Sequence, residues 1–166
     1  MTLEIREANL NEEGDGQALL AVLDGYASAP SGGGVALAAD VKRRLVPALR
    51  VQPGTLVLLA FEGADIAGAA TCFYGFSTFF ARPLLNVHDL AVMPSFQRRG
   101  VGRALLAAAE AQALAKGCCK LTLEVRQDNH PARELYHRHG FRDFELAGVS
   151  YPTLFLSKPL AVPDGA

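Results

Sequence analysis

Hydrophobic positions along the chain follow two different periods. In four segments the apolar residues recur every three or four positions, which predicts helices with one buried face, and elsewhere they alternate or run continuously, which predicts strands. The predicted helices cover residues 14–26, 39–49, 101–116 and 131–138. The predicted strands cover residues 3–8, 55–61, 66–74, 84–92, 121–125, 141–146 and 153–156. The chain therefore mixes helices and strands in the order β-α-α-β-β-β-α-β-α-β-β, an α/β arrangement.

Two short polar or glycine-rich segments predict connections between these elements. Residues 62–65, Glu-Gly-Ala-Asp, join two apolar strands and predict a hairpin. Residues 31–34, Ser-Gly-Gly-Gly, separate the first two helices and predict the most flexible loop of the chain.

Length and composition limit the kinds of protein that this chain can be. The prior for 166 residues is one domain, here residues 1–166, and half of the residues are hydrophobic. The net charge of −1 argues against a general nucleic-acid binder. Of three cysteines, Cys118 and Cys119 are adjacent and Cys72 is remote, so neither a disulfide framework nor a metal site is expected. No signal segment and no apolar run of membrane-spanning length stands out, so we expect a cytoplasmic protein that does not contact membranes.

The most informative local feature is the turn Gln97-Arg98-Arg99-Gly100-Val101-Gly102, which leads from a predicted strand into a predicted helix. Its glycines let the backbone approach a ligand, the first helical turn offers unpaired N–H groups, and Arg98, Arg99 and Arg103 add positive charge. Such a turn binds anions, and the charge indicates more than one phosphate. The alternative is that the glycines only shape the turn and the arginines are solvated.

The spacing excludes two better-known phosphate-binding turns. A dinucleotide fingerprint needs a third glycine where this chain has Leu105, and a P-loop needs a lysine directly after the second glycine. What remains is the pattern Q-x-x-G-x-G.

A second pattern follows downstream. Asn129 can cap a helix that starts near Pro131, and Ala132, Leu135 and Tyr136 then fall along one helical face. Taken alone, Tyr136 has an alternative interpretation as an ordinary core tyrosine. Together with a Gly-Phe pair at residues 140–141, this segment reads N-x-x-A-x-x-L-Y followed by G-F.

The two patterns together resemble the acyl-CoA-binding motifs of the GNAT superfamily of N-acetyltransferases. The resemblance implies a GNAT fold: a mostly antiparallel central sheet, splayed between its fourth and fifth strands, with helices on both faces. It also implies a function, the transfer of an acetyl group from acetyl-CoA to a primary amine of a small molecule or peptide by direct attack in a ternary complex.

The resemblance also assigns residues to the co-substrate. In the family a backbone bulge on the strand before the turn opens the sheet for pantetheine, here expected near residues 90–92, and the tyrosine hydroxyl points at the sulfur as the acid. The residues that it assigns to acetyl-CoA are Leu90, Ala91, Val92, Gln97, Arg98, Arg99, Gly100, Val101, Gly102, Arg103, Asn129, Ala132 and Tyr136.

The general base is open because many relatives carry a glutamate on the strand where this chain has none. His88 is the first candidate, since imidazole is suited to proton transfer near neutral pH, and its alternative role is to orient the neighbouring loop. Asp89 is the second candidate, with capping of backbone N–H groups as its alternative. A water chain is the third. Strand alternation places Asn86 and His88 on one face and Val87 and Asp89 on the other.

The acceptor site is expected between the first two helices, the loop 31–34 and the segment 73–83. That segment is aromatic and nearly uncharged, which suits an amine with an apolar portion, and it also suits a dimer contact. We therefore expect a homodimer and assign no metal. Two further hypotheses stay open: a non-catalytic acyl-CoA sensor, and a nucleic-acid binder that uses the arginine-rich turn.

Overall fold

A computed structural model describes residues 2–146, 148–151 and 153–160 of the chain. Its helices and strands follow the order that the sequence pattern predicts as far as the fourth helix. The elements are β1 (Leu3–Glu7), α1 (Glu13–Ser28), α2 (Ala39–Val51), β2 (Thr55–Glu62), β3 (Asp65–Ser77), β4 (Arg82–Val92), α3 (Val101–Ala115), β5 (Leu121–Leu123), α4 (His130–Arg138), β6 (Phe144–Leu146) and β7 (Val149–Tyr151).

The central sheet contains β1 to β5 in sequence order. The first four strands pair antiparallel, and β5 pairs parallel to β4 over three residues, Leu85 to Val87 against Leu121 to Leu123. Beyond Val87 the ladder between β4 and β5 ends, so the two strands splay apart there. The predicted fold class, with its splay between the fourth and fifth strands, is confirmed.

Helices cover both faces of this sheet because its inner strands are apolar on both sides. On one face, Leu19 and Val22 of α1 and Leu49 of α2 pack against alternate residues of β2, β3 and β4. On the other face, Leu105, Leu106 and Ala109 of α3 pack against the intervening residues, and Leu135 of α4 joins the edge of that cluster.

The end of the chain differs from the prediction of two strands at 141–146 and 153–156. The strand β6 pairs antiparallel with β7, and the two form a separate two-stranded sheet. Residues 153–156 are not in a strand, so that prediction is wrong. Gly148, with a φ of +77°, reverses the chain directly after β6, so the partner of β6 comes earlier than the apolar run indicates.

Candidate active site

A β-bulge in β4 determines where the polar side chains of this strand point. Thr71 of β3 pairs with Asp89 and Cys72 pairs with Val87, so His88 is the extra residue. The bulge predicted near residues 90–92 is therefore wrong in position. Gly68 explains the regular register there, since a Cβ at this position would lie 2.7 Å from the Ala91 carbonyl oxygen, a close approach that only glycine allows.

The bulge places His88 and Asp89 on the same face of the sheet, which corrects the expectation that they point to opposite faces. The His88 ring packs edge-on against Phe73, with ring centroids 5.5 Å apart, and Phe73 lies in the cluster beneath α1 and α2. Asp89 lies between Leu90, which packs on the α3 side, and the bulge, so its side chain also points to the α1 side.

The two candidate bases have different surroundings. His88 is exposed, whereas Asp89 is half-buried. Burial raises the pKa of the Asp89 carboxyl, and the neighbouring His88 opposes this by lowering it. Within the described part of the chain Asp89 accepts no hydrogen bond, so the expected alternative of a carboxylate that caps backbone N–H groups is not what the structure shows.

The gap between β4 and β5 opens directly beyond a side-chain contact that joins the strands. Asn86 Nδ2 donates to Thr122 Oγ1 at 3.1 Å, one residue before the ladder ends. From His88 to Val92, the backbone groups of β4 that point away from β3 have no ladder partner among the described residues. An extended ligand can therefore pair with β4 at this edge.

Helix α4 follows β5 in the chain and packs at the edge of the α3-side cluster through Leu135 and Tyr136. Asn129 is its N-cap, with Oδ1 accepting from the Ala132 N–H at 3.3 Å, and Pro131 lies in the first turn, as the sequence predicts. This fixes Tyr136 two turns along the helix, where its ring packs edge-on against Phe141 with centroids 5.8 Å apart. Burial raises the pKa of Tyr136 to about 12, so the phenol keeps its proton at neutral pH.

Tyr26 near the end of α1 is a site residue that the sequence analysis missed. Its side chain contributes electrostatically to the raised pKa of Tyr136 and also to that of Arg126, which follows β5. Tyr26 and Tyr136 therefore interact electrostatically although they lie on helices that are far apart in the sequence. Helical periodicity gives no signal for such an interaction, because it describes one helix at a time.

The glycine turn has the backbone geometry of an anion site. Gly100 caps α3 with a φ of +86°, and Arg98 also has a positive φ, +60°. No side chain caps the first turn of α3 and no acidic residue lies in it. Its N–H groups are thus available to a phosphate, at the positive end of a helix of 15 residues.

The three arginines around this turn differ in whether they are paired with another side chain. Arg99 donates to both carboxylate oxygens of Glu62 at 2.6 and 2.7 Å and lies over the Phe96 ring, so it anchors the turn to the β2–β3 hairpin. Arg98 and Arg103 are exposed, without an ion pair among the described residues.

Three further residues of the turn also contribute to its structure. Gln97 Nε2 donates to the Val92 carbonyl at 3.4 Å, and Val101 is buried in the core. Gly102 packs against α4, because a Cβ there would lie 3.0 Å from Leu135 Cδ2. Close helix packing is therefore a role of Gly102 that the sequence analysis did not give it.

The residues on β4 that the resemblance assigns to acetyl-CoA flank the gap. Ala91 is buried beneath α1, and Leu90 and Val92 pack on the α3 side, so only their backbone atoms can face a ligand in the gap.

An apolar cavity of about 340 Å³ lies on the α1–α2 side of the sheet, near the polar residues of β4. It is lined by Leu45, Ala48, Leu49, Gln52 and Phe73, the residue that also contacts His88. A second cavity of about 250 Å³ adjoins it, around the β1–α1 connection and the start of β2, and shares the lining residues Leu49 and Gln52.

The segment between α1 and α2 is held in place more firmly than the glycine run predicts. Asp24 accepts the Leu37 N–H at 2.9 Å and Lys42 Nζ at 2.6 Å, and residues 30–32 form a short 3-10 helix. Asp24 of α1 therefore ties the end of this segment and the start of α2 together.

Metal-binding groups and membrane-spanning helices are two further features that the described residues can be examined for. These residues contain no group of three or more histidine, cysteine, aspartate or glutamate side chains able to hold a metal ion. Among their helices, none has the length and apolar character needed to cross a membrane.

Comparison with known proteins finds a protein family whose model matches most of this chain. The model of the acetyltransferase (GNAT) family matches residues 20–141. A curated relative, the ribosomal protein bS18-alanine N-acetyltransferase of Haemophilus ducreyi, is 38% identical over 81 residues, which cover 49% of this chain and 50% of that protein. The chain spans between 46% and 60% of the length of the curated relatives that it matches.

Solved structures are similar over nearly the whole chain. A probable acetyltransferase superposes with a TM-score of 0.78 at 19% identity, covering 94% of this chain and 99% of that one. AAC(6')-Iy in complex with the bisubstrate analog CoA-S-monomethyl-acetylneamine superposes with a TM-score of 0.74 at 17% identity, covering 96% of this chain and all of that one. At these identities the similarity establishes the fold.

Proposed function

The chain belongs to the acetyltransferase (GNAT) family, and from this premise we propose that it transfers an acetyl group from acetyl-CoA to a primary amine by direct attack in a ternary complex. The observation that carries this proposal is the open edge of β4 beyond Val87. At one end of this edge lies the N-terminus of α3, which no side chain caps. Polar side chains lie beside the edge on both faces of the sheet.

In this proposal acetyl-CoA occupies the gap with its pyrophosphate on the turn. The N–H groups of the first turn of α3 bind the phosphates, and the exposed Arg98 and Arg103 neutralise their charge. Arg99, which Glu62 already pairs, holds the turn in shape. Pantetheine pairs with the free backbone groups of β4, and a β4 N–H polarises the thioester carbonyl.

The residues that move protons flank the gap. The neutral amine attacks the thioester carbon, the new C–N bond forms as the C–S bond breaks, and the amine proton passes to the His88–Asp89 side. Of the two, Asp89 fits the base better, because burial raises its pKa and nothing in the described chain occupies its carboxylate. Tyr136, which stays protonated, donates to the departing thiolate sulfur.

The acceptor that this site favours is a small molecule or peptide whose primary amine carries an apolar portion. The cavity beside Phe73 supplies the apolar surface, and among its lining residues in the described part of the chain Gln52 alone is polar. The names of similar proteins include an alanine of a ribosomal protein and an acetylneamine group, so amines of both kinds belong in a test.

Three broader features complete the proposal. Residues 1–166 form one domain, and the protein works in the cytoplasm, where its free thiols Cys72, Cys118 and Cys119 stay reduced. Two copies associate through the exposed aromatic residues at the β3–β4 turn, of which Phe79 is 96% exposed and Phe76 and Phe80 are each 63% exposed.

A panel of amines with acetyl-CoA tests the activity, read out as free thiol release with mass spectrometry of the product. The expected result is thiol release that depends on the amine and yields a product heavier by one acetyl group. Binding of acetyl-CoA without thiol release across peptide, aminoglycoside and simple alkyl amines would instead support a non-catalytic acyl-CoA sensor. Failure to bind acetyl-CoA at all would contradict both.

A further inference from the structure

Thr71 is a buried polar residue that no step of the proposed reaction uses. It lies in the middle of β3, only 2% of its surface is exposed, and its Oγ1 has no hydrogen-bond partner among the described residues. Buried hydroxyls are nearly always hydrogen-bonded, so an unpaired one in an inner strand indicates a partner that is recruited in some state of the protein.

The register of the sheet places Thr71 directly opposite Asp89. The two are paired residues of β3 and β4, next to the bulge. Ala70 and Cys72, on either side of Thr71, both pack in the α3-side cluster, so the Thr71 side chain points to the α1 side. Asp89 points to the same side, and directly opposed residues of antiparallel strands have Cβ atoms about 4.5–5.5 Å apart.

The two side chains are complementary in their hydrogen bonding. A threonine hydroxyl can donate one hydrogen bond and rotates to do so, and an ionised carboxylate only accepts. Thr71 is buried and Asp89 is half-buried, and neither has another hydrogen bond in the described part of the chain. Ionisation of Asp89 removes its donor and makes it a stronger acceptor for the Thr71 hydroxyl.

We propose that Thr71 is a positioning residue whose Oγ1 donates a hydrogen bond to the ionised Asp89 carboxylate, directly or through one water molecule. A hydrogen bond to the charged form favours that form, so it counteracts burial and keeps Asp89 able to release and accept a proton at neutral pH. For its catalytic consequence, this inference rests on the proposed function.

Other ionisable groups near Asp89 could also shift the pKa of its carboxyl. His88 lies beside it on β4, and Cys72 on β3 interacts with it electrostatically. From α1, which covers this face, Asp24 is held by Lys42, and Tyr26 interacts with Tyr136. All of these groups remain unchanged when only Thr71 is substituted.

The test is a carbon-NMR titration of the Asp89 carboxyl in the free protein, which needs no acceptor. In Thr71→Val, which keeps the shape and loses the donor, the Asp89 pKa should rise by about one pH unit relative to the wild type. Thr71→Ser should restore it. Thr55→Val is the matched control, because the Thr55 hydroxyl bonds the Gln52 carbonyl at 2.9 Å, away from Asp89, and its loss should leave the titration unchanged.

A measurement on the wild type keeps the proposal testable if Thr71→Val does not fold. The Thr71 Cβ and methyl resonances should titrate with the same midpoint as Asp89, because the hydrogen bond strengthens on ionisation. An Asp89 pKa that is the same in Thr71→Val and wild type, or Thr71 resonances that do not follow Asp89, would overturn the proposal.

The kinetic consequence separates this inference from the proposed function. Because the base must be ionised, the acidic limb of the kcat/KM profile should move to higher pH in Thr71→Val, with KM for acetyl-CoA unchanged. If no amine is acetylated, the proposed function fails while the titration still decides the hydrogen bond. If amines are acetylated and the acidic limb of the kcat/KM profile does not move, the positioning role of Thr71 is wrong and the proposed function stands.

Discussion

Replacing Tyr136 by phenylalanine should remove the proton that the leaving thiolate receives and little else. The ring remains in its edge-on contact with Phe141, and the hydroxyl makes no hydrogen bond within the described residues that the substitution would break. The free energy of unfolding should therefore change by no more than about 0.5 kcal/mol, the usual limit for substitutions that break no packing contact and no hydrogen bond. A loss of turnover would then report chemistry rather than unfolding.

The expected loss follows from the state of the phenol. With a pKa raised to about 12, Tyr136 is protonated throughout the range in which an acetyltransferase can be assayed. A positioned general acid contributes roughly 10²- to 10⁴-fold to the rate. We expect kcat to fall by about that factor while the Kd of acetyl-CoA changes little, since the phenylalanine keeps the wall of the gap.

The assay is thiol release under saturating acetyl-CoA, with binding measured separately by calorimetry. Tyr74→Phe is the matched control, because the Tyr74 hydroxyl is also buried and without a partner in the described chain but lies on β3, away from the gap. It should leave turnover unchanged. Full turnover in Tyr136→Phe would refute the assignment, and thiolate departure would then depend on water or on the proton of the amine.

The other predictions concern the turn, the base and the assembly. Saturation with acetyl-CoA at about a hundred times its Kd should add about 2.7 kcal/mol, a rise in Tm of roughly 5–11 °C. Gly100→Ala, at a φ of +86°, should lose about 1–2 kcal/mol of stability, and Gly102→Ala, whose methyl group meets Leu135, should reduce the acetyl-CoA shift in Tm; no shift with the wild type would contradict the site. Asp89→Asn should lower turnover by about 10²-fold or more yet raise Tm at pH 8. The raised pKa means that the folded state keeps this proton to higher pH than the unfolded chain, so stability falls as pH rises between the two pKa values and the difference in Tm vanishes below both. Phe79→Asp should convert a dimer into a monomer by light scattering, and a wild type that is monomeric at all concentrations would disprove the dimer.

Local rules were sufficient for the parts of the site that local chemistry determines. The cap at Asn129, the proline in the first turn of α4 and the positive φ at Gly100 follow from residue types within one turn of chain. The order of elements up to α4 followed from hydrophobic period, because both faces of the sheet are covered and each helix has one buried side.

Features that depend on contacts between distant segments were not predicted. The pairing of Arg99 with Glu62 joins residues 37 positions apart, so this anchoring contact had no local signal, and the assignment of Arg99 to acetyl-CoA stays a prediction. The electrostatic interaction of Tyr26 with Tyr136 joins α1 and α4, which are more than a hundred positions apart. The apolar run at 153–156 has the composition of a strand, but the turn at Gly148 gives β6 its partner before the chain reaches that run.

The bulge at His88 is different, because the sequence carries a signal for it. The β4 residues in the α3-side core stand at 85 and 87 and then at 90 and 92, so the period of two slips by one position between Val87 and Leu90. Without an extra residue, a strand that kept Leu85 and Val87 in this core would lose Leu90 and Val92 and would bury Asp89, which places a charge among apolar side chains. Core packing on both sides of the slip therefore requires a bulge at 88–89. The same residue that keeps the core apolar brings His88 and Asp89 to one face, at the point where β4 parts from β5.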